Sequence, residues 1–310
     1  MQYHTKTQRF TISEQEPCKN GAEGKVYSKG SIVVKLLHKP YREVHDKLEY
    51  LIAHRPSANR ERLTAWPQEL VYDRSNRFCG YTMKKIEGRP LSEVMELFVE
   101  KWDKSYLLYF SLSLIRCVDN IHAMHFCIGD FNPNNFIIDT KTGDIIRIDI
   151  DSLHIATLTT YFPCQTLHPE YSMPEILKQM QACGMQEPGK LPKRCSYTRE
   201  ADCFALYTMV FRLLNRGIHP CHAQPVKKGE AVPLDLMCIQ QGIRPYFVPH
   251  ADYKLPEWAP PLTDMPVPVR ALFQQCFGRG WDHPNERPSA KKLYTAIAKW
   301  YDSVRKRACM

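Results

Sequence analysis

The sequence lacks the closely spaced cysteine pairs that mark disulfide frameworks and zinc sites. Its 12 cysteines are scattered singly, with no CxxC anywhere, which favours free, buried thiols in a reducing compartment. One cluster of metal-ligand types, His219, Cys221 and His222, has no second group of ligands nearby in the sequence. We therefore expect neither disulfides nor a metal at this cluster.

Long apolar runs are also missing. No uninterrupted stretch approaches the roughly 20 residues of a membrane span, and the opening MQYHTKTQRF lacks the apolar core of a secretory signal. We expect a cytoplasmic protein with no membrane partner.

The formal charge of +9 is moderate. Its most basic run, SVRKRA, is typical of a solvated helical face, so no nucleic-acid partner is expected.

The 310 residues, 44% hydrophobic and 24% charged, suffice for one large domain or two lobes. Residues 24–37 alternate and then become β-branched around a Lys-Gly turn, which predicts a hairpin. Residues 41–53 place apolar side chains at helical spacing, and residues 78–88 predict a strand and a connector. From residue 90 onward the pattern is mainly helical, with later helices predicted over 203–214, 266–277 and 289–304. These patterns predict a small β-rich lobe that ends near residue 86 and a larger helical lobe.

Acidic and amide side chains are concentrated in the segment IGDFNPNNFIIDTKTGDIIRIDIDS, residues 128–152, between runs of isoleucine and phenylalanine. Asp130, Asn135 and Asp149 form an ordered array across a predicted strand–turn–strand unit. An asparagine oxygen and a carboxylate are hard ligands suited to Mg²⁺, and a separate aspartate can orient a hydroxyl and accept its proton. Turn capping, the alternative, suits the aspartates that flank TKTG but explains the array poorly.

Two features upstream indicate a site for phosphate groups. Gly21 and Gly24, in NGAEGKVY, would let backbone amides approach phosphate oxygens. Lys35 ends a β-branched run, and a lysine buried there would need an anion beside it. Taken singly, an ordinary turn and an edge lysine that faces water remain open alternatives.

These motifs occur in the order found in the protein-kinase superfamily, which the chain resembles over roughly residues 18–300. GAEGKV resembles the glycine-rich loop, VVK the strand with the ATP lysine, and TMKKIEG the gatekeeper and hinge. GDFNPNN resembles the catalytic loop, DID the magnesium motif, and MPE the end of the activation segment. Asp202 matches the aspartate that opens the large buried helix, and Arg287 matches the arginine that pairs with Glu175.

The resemblance implies an α+β, bilobal protein-kinase-like fold, with an N-terminal extension (1–17), an N-lobe (18–86) and a C-lobe (87–310). It implies ATP and Mg²⁺ as cofactors and transfer of the γ-phosphate to Ser or Thr hydroxyls of a protein, with autophosphorylation. The implied catalytic residues are Lys35 for the α/β-phosphates, Asn135 and Asp149 for the metal, and Asp130 for the acceptor hydroxyl. The implied nucleotide pocket comprises Gly21, Gly24, Val26, Val33, Lys35, Met83 as gatekeeper, Lys85 of the hinge and Ile137. The autophosphorylation sites are expected among Thr157, Thr159, Thr160 and Thr166.

The helix acid that pairs with the ATP lysine in this family is ambiguous here. Glu49 lies fourteen residues after Lys35, which is a plausible spacing, and we assign it the role. Glu43 and Asp46 lie on the same predicted helix and remain alternatives.

Five positions depart from the family pattern, and they keep other functions open. Lys19 replaces the first loop glycine, Ile128 and Gly129 the His-Arg pair before the catalytic aspartate, Asn132 the lysine for the γ-phosphate, and Asp151 the DFG glycine. The altered glycine loop, the lost arginine and the missing lysine favour a pseudokinase, meaning a nucleotide-gated interaction module, whereas the four retained site residues disfavour it. GDFNPNN also resembles the loop of aminoglycoside and choline kinases, although MPE and the late arginine favour a protein kinase.

A narrower resemblance is carried by IDIDSLHI, HPEYSMPEI, READCFAL and GIHPC. They are similar to segments of bacterial Ser/Thr kinases linked to tellurite-resistance gene clusters, which have GDxN and DxDS motifs. This resemblance implies a bacterial source, with a von Willebrand A-domain protein and a PP2C-type phosphatase as partners.

Overall fold

The first part of the chain forms one antiparallel sheet of seven strands. The computed structural model describes residues 1–13, 15–97, 102–184 and 197–308. The strands lie in the order β2-β1-β6-β7-β5-β4-β3. Their bounds are β1 (Gln2–His4), β2 (Arg9–Thr11), β3 (Cys18–Asn20), β4 (Gly24–Lys29), β5 (Ile32–Leu37), β6 (Pro67–Asp73) and β7 (Phe78–Lys84). The predicted extension, residues 1–17, thus adds two strands to this sheet.

The predicted hairpin is confirmed as β4 and β5, which pair from Gly24–Leu37 to Lys29–Ile32. Gly30 has φ +63°, which suits the left-handed turn between the strands. Gly24 has a structural reason of its own, because a Cβ there would lie 2.3 Å from the carbonyl oxygen of Leu36. Its absent side chain is therefore required by strand packing, whatever ligand the loop binds.

Helix α1 (Arg42–Ala53) covers this sheet, and the short α2 (Ala58–Glu61) follows it. Helix α1 confirms the helix that was expected over 41–53. The helix packs against β6 and β7 and also contacts the turn at residues 150–152. Leu48 and Leu51 are fully buried at this contact surface.

The remainder is mainly helical around a single large apolar core. Helices α4 and α6 are buried along most of their length and pack against each other, and α10 packs along α4. The helices are α3 (Leu91–Leu97), α4 (Lys104–His122), α5 (Pro174–Ala182), α6 (Arg199–Leu214), α7 (Asp235–Gln241), α8 (Val267–Phe277), α9 (Arg279–Asp282) and α10 (Ala290–Ala308).

Short strands after residue 86 form three small sheets. Strands β8 (Gly88–Pro90), β10 (Phe136–Asp139) and β11 (Ile145–Arg147) form one small antiparallel sheet. The second comprises β9 (Phe126–Cys127), β12 (His154–Ala156) and β13 (Tyr161–Phe162), and the third β14 (Gln224–Pro225) and β15 (Tyr253–Lys254).

The three late helices predicted from the sequence are present as α6, α8 and α10. Helix α6 begins earlier than expected, at Arg199, because the side chain of Thr198 accepts the N–H of Ala201 and caps the helix. The helix predicted from residue 91 is seen as α3, and residues 98–101 lie outside the described residues.

Two expectations from composition can be compared with the described residues. The cysteines at described positions are free thiols, and most are buried. Within the same ranges, no helix is both long enough and apolar enough to cross a membrane.

Candidate active site

Lys35 is the centre of a compact ion network at the junction of the two lobes. Strand β5 places its side chain in the interior, where the residue is only 5% exposed. The Nζ atom lies 3.0 Å from Glu23 Oε2, 2.5 Å from Asp149 Oδ1 and 2.9 Å from Asp151 Oδ2. The hydroxyl of Tyr81, on the neighbouring strand β7, donates to Asp151 Oδ1 at 2.6 Å. One buried ammonium is therefore surrounded by three carboxylates.

The charges in this network shift each group's protonation. Burial would lower the pKa of Lys35, but the charges of Asp151 and its neighbours raise it well above its usual range. Burial raises the pKa of Asp149 to about 7, with Asp151 and Glu23 acting in the same direction and Lys35 opposing them. Burial also acts to raise the pKa of Asp151, yet the Lys35 charge and the Tyr81 hydrogen bond lower it to about 2. The contacts with Lys35 and Tyr81 thus favour the ionised form of Asp151.

Asp149 has a left-handed backbone, with φ 63° and ψ 51°. Few residues other than glycine adopt this conformation, and such positions concentrate at functional sites. The side chain of Ser152 stabilises the turn by donating to the carbonyl of Asp149 at 2.8 Å. The turn therefore presents Asp149 and Asp151 to the same lysine.

The catalytic-loop residues are held by α6. Asp202, at its first turn, accepts the N–H groups of Ile128 at 2.6 Å and Gly129 at 3.1 Å, and His122 Nε2 at 2.8 Å. Tyr197 donates to the carbonyl of Gly129 at 2.9 Å. This anchoring fixes the backbone immediately before Asp130.

Asp130 and Asn135 are in direct contact. The amide nitrogen of Asn135 donates to Asp130 Oδ2 at 3.2 Å, and the carbonyl of Asn135 accepts the N–H of Ile148 at 2.8 Å. The second bond places Asn135 beside the residue that precedes Asp149. Because the amide nitrogen faces Asp130, the amide oxygen is left to accept from, or bind to, another group.

The predicted pocket residues lie on both small and large sheets. Val26 is opposite Lys35 across β4 and β5, and Val33 is opposite Met83 across β5 and β7. Ile137 lies on β10, paired with β8. Other predicted members are Gly21, whose N–H donates to the carbonyl of Gly24, and Lys85, whose ammonium lies 3.8 Å from Glu87.

The prediction that Glu49 pairs with Lys35 is wrong. Glu49 is exposed, and it lies near His45 and Asp46 instead. Helix α1 turns Lys47 inward, because Lys47 follows Val44 by three residues and precedes Leu51 by four on the apolar face. That spacing was a signal in the sequence, and it excludes Glu49 from the face that contacts the sheet.

Sequence reasoning also missed three residues of the network. Asp151 was recognised as a departure from the family pattern but given no contact, and Glu23 and Tyr81 were not singled out. The pairing of Tyr81 opposite Lys35 follows from strand register, which motif spacing alone does not define.

The predicted ion pair between Glu175 and Arg287 is confirmed. Arg287 forms two bonds to Glu175, at 2.6 Å and 2.7 Å, and also donates to the carbonyls of Gly280 and Glu200. This ion pair ties the start of α5 to the segment before α10.

Comparison with known proteins shows that the chain is similar to protein kinases. The chain is 26% identical over 325 residues to "Protein kinase YegI" of Escherichia coli strain K12, covering 97% of this chain and 46% of that protein. The O157:H7 protein of that name is 25% identical over 303 residues, covering 89% of this chain and 43% of that protein. Human "Rho-associated protein kinase 1" is 24% identical over 154 residues, which is 48% of this chain and 10% of that protein. No protein-family model matches the chain.

The resemblance to the protein-kinase superfamily and the α+β bilobal fold are thereby confirmed. The chain spans less than half the length of the two bacterial relatives. The narrower likeness to kinases of tellurite-resistance clusters stays a prediction.

Proposed function

We propose that the chain is an ATP- and Mg²⁺-dependent protein kinase that transfers the γ-phosphate of ATP to Ser or Thr hydroxyls. The observation that supports this most is the convergence of Asp149 and Asp151 on buried Lys35, beside the paired Asp130 and Asn135. These side chains come from separate elements, and phosphoryl transfer has a use for each. Turn capping gives no reason for two carboxylates to meet at one lysine.

The donor set fits magnesium and a triphosphate. The carboxylates of Glu23, Asp149 and Asp151 lie within 4.8 Å of one another, and with Lys35 they leave an excess of negative charge for a divalent cation to neutralise. Asp149 and the amide oxygen of Asn135 would hold the metal, both being hard oxygen donors. When bound, magnesium would neutralise charge on the phosphates.

Lys35 would then bind the α- and β-phosphates in place of Asp149. Asp130 would orient the acceptor hydroxyl and accept its proton. The hydroxyl oxygen bonds to the γ-phosphorus, and the bridging oxygen leaves with ADP. The hydrogen bond from Asn135 fixes the Asp130 carboxylate for this step.

Two substitutions test the assignment because they should fail differently. Asp149→Ala should weaken nucleotide binding in the presence of magnesium and lower transfer together. Asp130→Ala should leave nucleotide affinity nearly unchanged and lower the transfer step by roughly 10²–10⁴-fold. Nucleotide affinity, melting temperature and turnover are measured on both variants.

Asp139→Ala is the matched control, since Asp139 accepts the N–H groups of Lys141 and Thr142 within the turn. It should lower stability alone. Full turnover by folded Asp130→Ala would contradict the assignment of the base. Nucleotide binding with no transfer by the unmodified chain would favour the interaction module instead.

Autophosphorylation is part of the proposal. Thr157 and Thr159 are exposed between β12 and β13, whereas Thr160 and Thr166 are half-buried, so the first two are the favoured acceptors. Intact mass after incubation with ATP measures the transfer.

As protein partners we propose a von Willebrand A-domain substrate and a PP2C-type phosphatase, on the resemblance alone.

A further inference from the structure

Helix α1, where an acid was expected to face Lys35, has a buried lysine instead. Lys47 is 7% exposed, between the fully buried positions Leu48 and Leu51 on the same helix. Burial lowers its pKa, against the charges of Cys164, Asp151, Glu23 and Asp149. Among the described residues, no hydrogen-bond acceptor or carboxylate makes a direct contact with its ammonium. The helix therefore adds positive charge to the site.

The acids of α1 point elsewhere. Glu43 and Glu49 are exposed, and Asp46 contacts Arg42 at 3.7 Å and His45 at 3.1 Å. None of these carboxylates is among the groups that contact Lys35. Lys35 is thus paired with carboxylates that come from outside α1.

Asp151 is fixed beside Lys35 by several hydrogen bonds. Both of its oxygens accept from Lys35, at 3.1 Å and 2.9 Å, and Tyr81 donates to one of them. Its turn also contacts α1. Of the three carboxylates around Lys35, Asp151 is the least exposed, with 5% of its side chain accessible against 22% for Asp149 and 42% for Glu23. Among the residues that the structure describes, it is also the only one of the three that accepts a hydrogen bond from Tyr81.

We propose that Asp151 is the positioning residue for Lys35, in place of a helix acid, while α1 supplies a buried lysine, Lys47, instead of a carboxylate. The catalytic consequence rests on the proposed function. With nucleotide and magnesium bound, Asp149 would hold the metal and the phosphates would take the place of Glu23 beside Lys35. Asp151 keeps Lys35 in place throughout. The lysine and the metal ligand are then positioned by one turn, residues 149–152, instead of by two separate elements.

A charge-swap experiment tests this. Asp151→Asn should lower both the melting temperature and nucleotide affinity, and should lower turnover by about 10²-fold, the usual effect of misplacing one reacting group by about 1 Å. Lys47→Glu alone should also be harmful, because it adds a fourth carboxylate to a site with three. The double variant Asp151→Asn/Lys47→Glu should recover part of both losses, since the acid then reaches Lys35 from α1.

Two controls separate positioning from simple charge removal. Asp151→Asn/Lys47→Met relieves the buried charge without supplying an acid, and it should recover neither nucleotide affinity nor turnover. Glu49→Gln, on the same helix, should behave as the unmodified chain. Tyr81→Phe removes one hydrogen bond from Asp151, and we expect this variant to fold. It should lower nucleotide affinity and turnover in the same direction but by less, and it serves as the test if Asp151→Asn does not fold.

The outcomes are distinct. Wild-type nucleotide affinity and turnover in folded Asp151→Asn or Tyr81→Phe would overturn the proposal, as would equal recovery by the Glu and Met double variants. If the unmodified chain transfers no phosphate, the proposed function fails. The recovery of nucleotide affinity by Lys47→Glu, and its absence with Lys47→Met, would still decide whether an acid at 47 replaces Asp151.

Discussion

Gly129 lies at the position where protein kinases, which this chain resembles, have an arginine before the catalytic aspartate. The surroundings of Gly129 explain the replacement. Its φ is +74°, and a Cβ at this position would lie 2.6 Å from Cβ and 2.7 Å from Sγ of Cys164. The segment that contains Cys164 thus packs directly on the predicted catalytic loop at this point. A larger residue at 129 would have to displace Cys164 and adopt a strained backbone, which disfavours a docking arginine here.

Gly129→Ala should therefore destabilise the protein by more than its backbone conformation alone predicts. Left-handed backbone costs a non-glycine residue about 1–2 kcal/mol, and the clash with Cys164 adds to that. Gly184→Ala is the matched control, because Gly184 has φ +67° with nothing within 4 Å of its Cβ position. Chemical denaturation measures both variants, and equal losses would show that Cys164 moves aside freely.

His219 gives the fold a defined sensitivity to acid. It is 1% exposed, its Nε2 donates to the carbonyl of Glu170, and its Nδ1 accepts the N–H of Cys221. The bond from Cys221 requires the neutral ring, because protonation would remove the acceptor at Nδ1. Burial lowers the pKa of His219 from 6.5 to about 4.

The free energy of unfolding should fall as pH falls from about 6.5 to about 4. In that window the unfolded chain takes up a proton at His219 and the folded chain does not. The loss is on the order of 3 kcal/mol if the ring stays neutral until about pH 4. His219→Asn should flatten this part of the stability profile, measured by urea unfolding at several pH values.

His250→Asn is its control. His250 Nδ1 likewise accepts an N–H two residues on, from Asp252, but His250 is exposed. A profile that flattens equally in both variants would rule out burial of His219 as the cause.

Among the helices, α5 is tied to the region before α10 by the pair Glu175–Arg287. The arginine side chain is fully buried and that of Glu175 is 24% exposed. The guanidinium also lies 5.0 Å from the ring of Phe204 on α6. One side chain therefore joins the end of the activation segment to two helical layers.

Arg287→Ala should cost roughly 3–5 kcal/mol of stability, the range for breaking a buried ion pair. Arg279→Ala is the control, because Arg279 pairs with Glu286 at 2.9 Å but is 80% exposed. Exposed pairs contribute about 0–1 kcal/mol. Melting curves of the two variants should therefore differ clearly, and similar curves would place Arg287 outside the structural core of the lobe.

For the protein as a whole, the site draws its residues from both lobes, so a ligand there should stabilise the folded chain. ATP with Mg²⁺ should raise the melting temperature, and ATP with a chelator should raise it far less. Saturation at 100 times Kd corresponds to about 2.7 kcal/mol. Asp149→Asn should abolish the difference. Equal shifts with and without Mg²⁺ would contradict the role given to Asn135 and Asp149.

The elements that depend on local sequence were predicted well. The hairpin at 24–37 needs alternation and a glycine turn, and α1, α6, α8 and α10 follow from apolar spacing, all of which are local properties. Glu175 and Arg287 were paired across 112 residues, but only through a family resemblance, because no local rule joins them. The two-lobed division followed from the change in periodicity near residue 86.

Contacts that depend on orientation were decided by the tertiary structure. Glu49 and Lys47 are two positions apart on one helix, and the packing of Leu48 and Leu51 decides which of them faces the site. Asp151 meets Lys35 only because the left-handed backbone at Asp149 turns the chain there. The sequence by itself determined the elements and the residue types available to the site. The structure alone decided which carboxylate pairs with the buried lysine, since that depends on how separate elements pack.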